Sequence, residues 1–224
     1  MKYRSTNKKI KNISFKNVIF QGLAADGGLF LPERFPKLSP KFIKEIGKKK
    51  FWQIALEISK KFIFGIPQKD LKKIIKDSFN FKVPLVKLGN NLYVLELFHG
   101  PTLAFKDFGA RFMARVMGYF LKKDKKKIKI IVATSGDTGS AVASGFYGMP
   151  NIRVYILYPR KKVSLLQEKQ LTTFGGNITA IEVKGNFDDC QRLAKQILLD
   201  KELKEKANLS SANSINFGRL LPQM

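Results

Sequence analysis

From Lys106 onward the apolar residues change their spacing at regular intervals, and this alternation constrains the fold more than any other feature of the chain. Phe108, Phe112, Met113, Val116 and Phe120 recur every three to four residues, as on one face of a helix. KIIVATS (129–135) is an apolar run of strand length, and the small residues after SGDTG again suit a helix. VYILYP (154–159) and ITAIEV (178–183) read as further strands, SLLQEKQLTTF (164–174) as a helix between them, and Asp188 to Lys206 as one long helix. Each element has a face to bury, and alternation of the two types is satisfied by helices layered on a sheet, so the predicted class is α/β. The last stretch, SSANSINFGRLLPQM, reads as a loop entering another element.

The first 85 residues follow a different plan. A short apolar start (Val18, Ile19, Phe20) and a turn region, GLAADGGLFLP, precede three helical patterns. Ser39 followed by Pro40 is suited to a helix cap and first helical position. Phe51, Ile54, Ala55, Ile58 and Phe62 share one helical face, and a third helix starting near Pro67 uses Leu71, Ile74, Ile75 and Phe79. VPLVKLGNNLYVLELF, with Gly89, Asn90 and Asn91 between two apolar stretches, predicts a β-hairpin. The predicted organisation is therefore a small domain over 1–85 and a first part of an α/β region over 86–224.

Composition narrows the function classes. At 44% hydrophobic residues the 224-residue chain has material for a substantial core. No window reaches the apolar length of a bilayer span, and MKYRSTNKKIKNISF lacks the apolar stretch of a secretory signal, so a cytoplasmic location is expected. Cys190, the single cysteine, fits an apolar helical stripe with Leu193 and Ile197 and reads as a buried thiol. The net charge is +25, from 42 Lys and Arg against 17 Asp and Glu, which is the usual footprint of nucleic-acid binding. These lysines are dispersed, however, and the densest run, KKDKKKIK (122–129), lacks the interleaved arginine and aromatic residues of a stacking platform. Abundant Ile, Asn and Phe accompany them, as an A/T-rich coding bias would produce. No specific nucleic-acid partner and no membrane partner are expected.

Three stretches carry chemistry. In FHGPTLAFKDFG (98–109), Lys106 lies among apolar residues, where it is either a reactive amine, able when neutral to attack a carbonyl and form a Schiff base, or a snorkelling surface lysine. TSGDTGSA (134–141) follows a strand and precedes a helix. Its two glycines allow a tight turn in which amides and the hydroxyls of Thr134, Ser135, Thr138 and Ser140 converge at a helix amino terminus, a place that favours an anion, although a plain capped turn has the same composition. It is neither a Walker loop nor the GxGxxG of a dinucleotide site. SANSINFGR (211–219) gathers Asn213, Ser214 and Arg219, whose guanidinium fork suits a phosphate or carboxylate; a helix cap explains the same residues. His99, the only histidine, reads as a hydrogen-bonding or packing residue, and no metal site is predicted.

Taken together, ELFHGPTLAFKDFGARF, ATSGDTGSAVASGFYG, ILYPRKKVSLLQEKQ and SANSINFGRLLPQ resemble the threonine synthase family, as does QGLAADGGLFLP for the family's amino-terminal domain. The resemblance implies the pyridoxal-phosphate fold type of tryptophan synthase β, with a small family-specific domain in front, and pyridoxal 5'-phosphate as cofactor. It implies that Lys106 carries the cofactor and that the substrate is O-phospho-L-homoserine, converted with water to L-threonine and phosphate. By similarity Ser135, Gly136 and Thr138 would hold the substrate carboxylate, and Asn213, Ser214 and Arg219 its phosphate. Asp137 stands where many relatives of the fold type place an asparagine beside the cofactor ring, a departure that leaves its role undefined. The family is considerably longer, and its glycine-rich cofactor-phosphate loop and pyridine-nitrogen partner have no counterpart before Met224. The fold is therefore expected to be incomplete and the 224 residues alone inactive. A threonine dehydratase, a cysteine synthase, an inactive remnant and a basic nucleic-acid-binding protein are the competing readings.

Overall fold

The computed structural model describes the backbone of residues 1–224 and every side chain except those of Lys201, Lys204 and Glu205. Tyr3–Ser5 (β1) pairs antiparallel with Phe30–Pro32 (β2), and the apolar run at Val18 lies in the helix Phe15–Gln21 (α1) between them. Ser39 caps Pro40–Glu45 (α2) by accepting the Phe42 amide at 3.2 Å, with Pro40 in the first turn as its sequence suggests. Phe51–Phe62 (α3) and Gln68–Ser78 (α4) follow, and α4 buries Leu71, Ile74 and Ile75. Leu85–Gly89 (β3) and Leu92–Leu95 (β4) form the predicted antiparallel hairpin, whose turn places Asn91 at φ 59°. Leu85, Leu88, Leu92 and Leu95 on it are all exposed.

The α/β region begins with the 19-residue helix Lys106–Asp124 (α5), whose predicted stripe from Phe108 to Phe120 is wholly buried. Ile128–Ala133 (β5), Asp137–Phe146 (α6), Ile152–Pro159 (β6), Leu165–Thr172 (α7) and Ile178–Val183 (β7) alternate as expected. The long helix expected from Asp188 to Lys206 is instead two, Phe187–Leu199 (α8) and Lys201–Ala207 (α9). Asp200 breaks it: its backbone is extended (ψ 118°) and its carboxylate accepts the Leu203 amide at 2.8 Å, capping a new helix. The stretch expected to be a loop contributes a short strand, Leu209–Ser211 (β8), before Phe217–Leu220 (α10).

All four strands of the main sheet are parallel, in the order β7-β6-β5-β8, with Ile130 beside both Val154 and Ser210. Alternate residues of β5 serve the two faces: Ile130 and Val132 join the core built on α5 and α6, whereas Ile131 packs with Leu157, Ala194 and the buried thiol of Cys190 on α8. Burial raises the Cys190 thiol pKa, consistent with a packing residue.

The larger core runs without interruption across residue 85. Tyr3, fully buried, donates its hydroxyl to the Phe62 carbonyl at 2.9 Å and meets the Phe217 ring edge-on at 5.0 Å. Arg111 of α5 donates to the carbonyls of Asp77 and Ser78, satisfying the end of α4. These contacts tie the amino-terminal helices to the base of α5, the element that presents Lys106. Among the described residues no helix is long and apolar enough to cross a membrane.

Candidate active site

The position of Lys106 is set by the turn before it. Asp107, with no exposed surface, accepts the Thr102 amide and hydroxyl, each at 2.9 Å, and a side chain on Gly100 would collide with that carboxylate. Burial raises the Asp107 pKa, and the bonds from Thr102 oppose the rise. The HGPT turn is thus clamped to the first turn of α5. From there the Lys106 side chain, half-buried, places Nζ 4.5 Å from the centre of the Phe105 ring and 3.6 Å from Asp137 Oδ2.

Asp137 begins α6, after the loop that leaves the carboxyl end of β5. Open α/β sheets bind ligands at this edge, where strand ends and helix amino termini converge. Thr134, expected to face the ligand, instead staples the loop from within. Its Oγ1 accepts the Gly136 and Gly139 amides at 3.0 and 2.8 Å and donates to the Gly136 carbonyl at 2.9 Å, which uses its bonding capacity. The Ser140 hydroxyl is likewise turned inward and buried, with no partner among the described residues. Ser135 and Thr138 remain open to a cavity of about 250 Å³ that also touches Lys106, Gly136, Asp137 and Gln167. A larger cavity of about 610 Å³ opens at the opposite edge of the strands, near Ile128 and Ile152, and none of the expected site residues lines it.

The structure therefore brings Lys106, Ser135, Gly136, Asp137 and Thr138 together, and does not bring Asn213, Ser214 or Arg219 to the same cavity. Asn213 and Ser214 are exposed, and the Asn213 side chain accepts the Ile215 amide at 3.2 Å. Arg219 is buried to 1% exposure against Gly109 of α5. Its Nη1 donates to the Ala212 carbonyl at 2.9 Å, Nε has no partner among the described residues, and burial lowers its pKa to about 10. A guanidinium in that place holds the backbone ahead of Asn213 and does not reach out to a ligand. His99 pairs with Glu96 at 2.6 Å and lies on the Phe98 ring, a bonding and packing role. Gln167 was not singled out by its sequence; the available signal was the S-x-x-Q pattern of Ser164 and Gln167 at the start of α7.

One primary amine, two hydroxyls and a helix amino terminus facing a single cavity form a donor set that fits an aldehyde-bearing, anionic cofactor and an anionic substrate. Residues 80–216 match the family model described as pyridoxal-phosphate dependent enzyme, and this class is the one the parallel sheet, lysine and loop define. Residues 2–79 match the model described as threonine synthase N terminus. The chain belongs to the pyridoxal-phosphate dependent enzyme family and carries the threonine synthase amino-terminal domain.

Threonine synthase of Buchnera aphidicola subsp. Acyrthosiphon pisum is 47% identical over 226 residues, covering 100% of this chain and 52% of the relative. The crystal structure of threonine synthase from Escherichia coli superposes with a TM-score of 0.91 at 46% identity, covering 100% of this chain and 52% of that one. The pyridoxal-phosphate-bound threonine synthase of Brucella melitensis gives 0.92 at 39% identity, with 100% and 50% coverage. The chain thus spans about half the length of the curated relatives it matches.

Proposed function

We propose that this chain supplies the lysine-bearing half of a pyridoxal-phosphate dependent threonine synthase, which converts O-phospho-L-homoserine and water into L-threonine and phosphate. The observation that carries the reading is the placement of Lys106 opposite the SGDTG loop, in a chain that matches threonine synthases along its whole length. Pyridoxal phosphate, when bound, supplies an electron sink for the carbon skeleton of an amino acid. Lys106 provides the amine that holds it and, once free, a base within the cavity. Ser135, Thr138 and the amides that open α6 bind the substrate carboxylate, with the helix dipole favouring the negative charge. Gly136 (φ +155°) lets the loop turn so that these donors share one side. Asn213 and Ser214 lie outside this cavity, on a loop that Arg219 anchors through the Ala212 carbonyl, and a phosphate role for them would require that loop to approach the site.

The test is a chimera in which residues 1–224 replace the matching 52% of the Escherichia coli enzyme. Phosphate and threonine released from O-phosphohomoserine in equal amounts, and lost with Lys106→Ala, are the expected result. A folded chimera that binds pyridoxal phosphate but forms neither product, or phosphate alone, overturns the reading.

A further inference from the structure

The cavity is lined by a polar side chain, Gln167, for which neither the sequence motifs nor the reaction supplies a role. Gln167 lies on α7, a helix that contributes no other residue to the cavity, and its amide nitrogen donates to Asp137 Oδ1 at 3.0 Å. The orientation of that amide is fixed from the other side. Its oxygen accepts from the Ser164 amide at 3.4 Å and the Ser164 hydroxyl at 3.3 Å, within the capping box that begins α7. With the oxygen committed to Ser164, only the NH2 group is left to face Asp137, so the contact requires an acceptor there.

A third observation is steric. An added Cβ on Gly136 would stand 2.5 Å from Gln167 Nε2 and 2.8 Å from its Cδ, so the space beside Gly136 is filled by this side chain. Ser164, Gln167, Asp137 and Lys106 therefore form one chain of contacts across the amino termini of three helices, ending at the amine.

We propose that Gln167 is a positioning residue of the Lys106 site: its amide pins the Asp137 carboxylate beside the ammonium and fixes the SGDTG loop against the start of α7. This rests on Lys106 being the functional amine, and it gives Asp137, the departure from the asparagine common in the fold type, a defined partner. Asp137 is half exposed, so without the tether its carboxylate swings into solvent and spends less time near Lys106. A carboxylate held close pairs with the ammonium, and loosening it leaves Nζ freer to meet a reagent.

The experiment is residue-resolved acetylation of the purified chain with limiting acetic anhydride, followed by peptide mass spectrometry. Gln167→Leu should raise the rate at Lys106 by about two- to fivefold, the range for an exposed ion pair, and leave other lysines unchanged. In an Asp137→Asn background the same substitution should do nothing further, because Gln167 acts through that carboxylate. Ser164→Ala removes one of the two bonds that fix the amide and should raise the Lys106 rate less than Gln167→Leu does. An unchanged Lys106 rate in Gln167→Leu, an equal effect without Asp137, or a larger effect from Ser164→Ala than from Gln167→Leu each overturns the proposal. Acetylation needs no cofactor, so these outcomes stand apart from whether Lys106 carries pyridoxal phosphate.

Discussion

Replacing Gly136 by alanine tests the loop that faces Lys106. Its backbone lies at φ +155° and ψ −113°, a region populated essentially by glycine alone, and occupying it with a side chain costs about 1–3 kcal/mol. The new Cβ would also stand 2.5 Å from Gln167 Nε2, so that side chain must move and give up its bond to Asp137, a further loss of about 0.5–1.5 kcal/mol. Alanine restricts the unfolded chain and returns roughly 0.4–1 kcal/mol. The net expectation is a loss of about 2 kcal/mol. With a urea m-value of about 2–3 kcal/mol/M, the unfolding midpoint should fall by about 0.7–1 M. Gly148→Ala is the comparison: φ there is +69° and nothing lies within 4 Å of the added carbon, so only the left-handed backbone cost of about 1 kcal/mol applies. Urea unfolding followed by circular dichroism reads both variants. Equal midpoints for Gly136→Ala and wild type, or a larger loss at Gly148, would refute the steric reasoning.

Two further predictions concern pH. Burial holds the Tyr3 phenol well above its ordinary pKa, so the folded state keeps its proton where the unfolded chain loses it. Stability from this group is complete below the unfolded value near 10 and is lost above it, at about 1.4 kcal/mol per pH unit. Tyr3→Phe should be less stable than wild type at pH 8, by about 0.5–1.5 kcal/mol for the lost bond to the Phe62 carbonyl, and the gap should close as unfolding is repeated at pH 10 and 11. Asp107 is also raised by burial, so the folded state binds its proton more tightly and this group favours folding more as pH falls toward the carboxylate range. Asp107→Asn can still accept the Thr102 amide and donate to its hydroxyl, and wild type should gain stability relative to it between pH 6 and 4; a pH-independent difference would contradict the assignment.

Much of this arrangement was legible in the sequence because it rests on local rules. Ser39-Pro40 caps a helix in any context that permits one, and the bulky stripe from Phe108 to Phe120 marks α5 as a helix, although the fold buries that helix on nearly every side. The alternation put Lys106 and the SGDTG loop at element ends, but that they share one site was implied only by the family resemblance. What escaped depends on distant partners. Leu209–Ser211 is too short and polar to announce a strand, and it exists because β5 offers a free edge to pair with. Arg219 carries the composition of an anion site, yet Gly109 leaves room for it to pack against α5, and its bond goes to the backbone. Gln167 meets Asp137 across 30 residues of sequence, a contact that only the fold creates.

The central claim is that Lys106 is the amine that holds the cofactor, and borohydride trapping tests it most directly. Pyridoxal phosphate is added to the chimera with the Escherichia coli enzyme, the adduct is reduced, and peptides are mapped by mass spectrometry. A single pyridoxyl group on Lys106, absent after Lys106→Ala, is the predicted result. Labelling confined to other lysines, with Lys106 unmodified, would contradict the account.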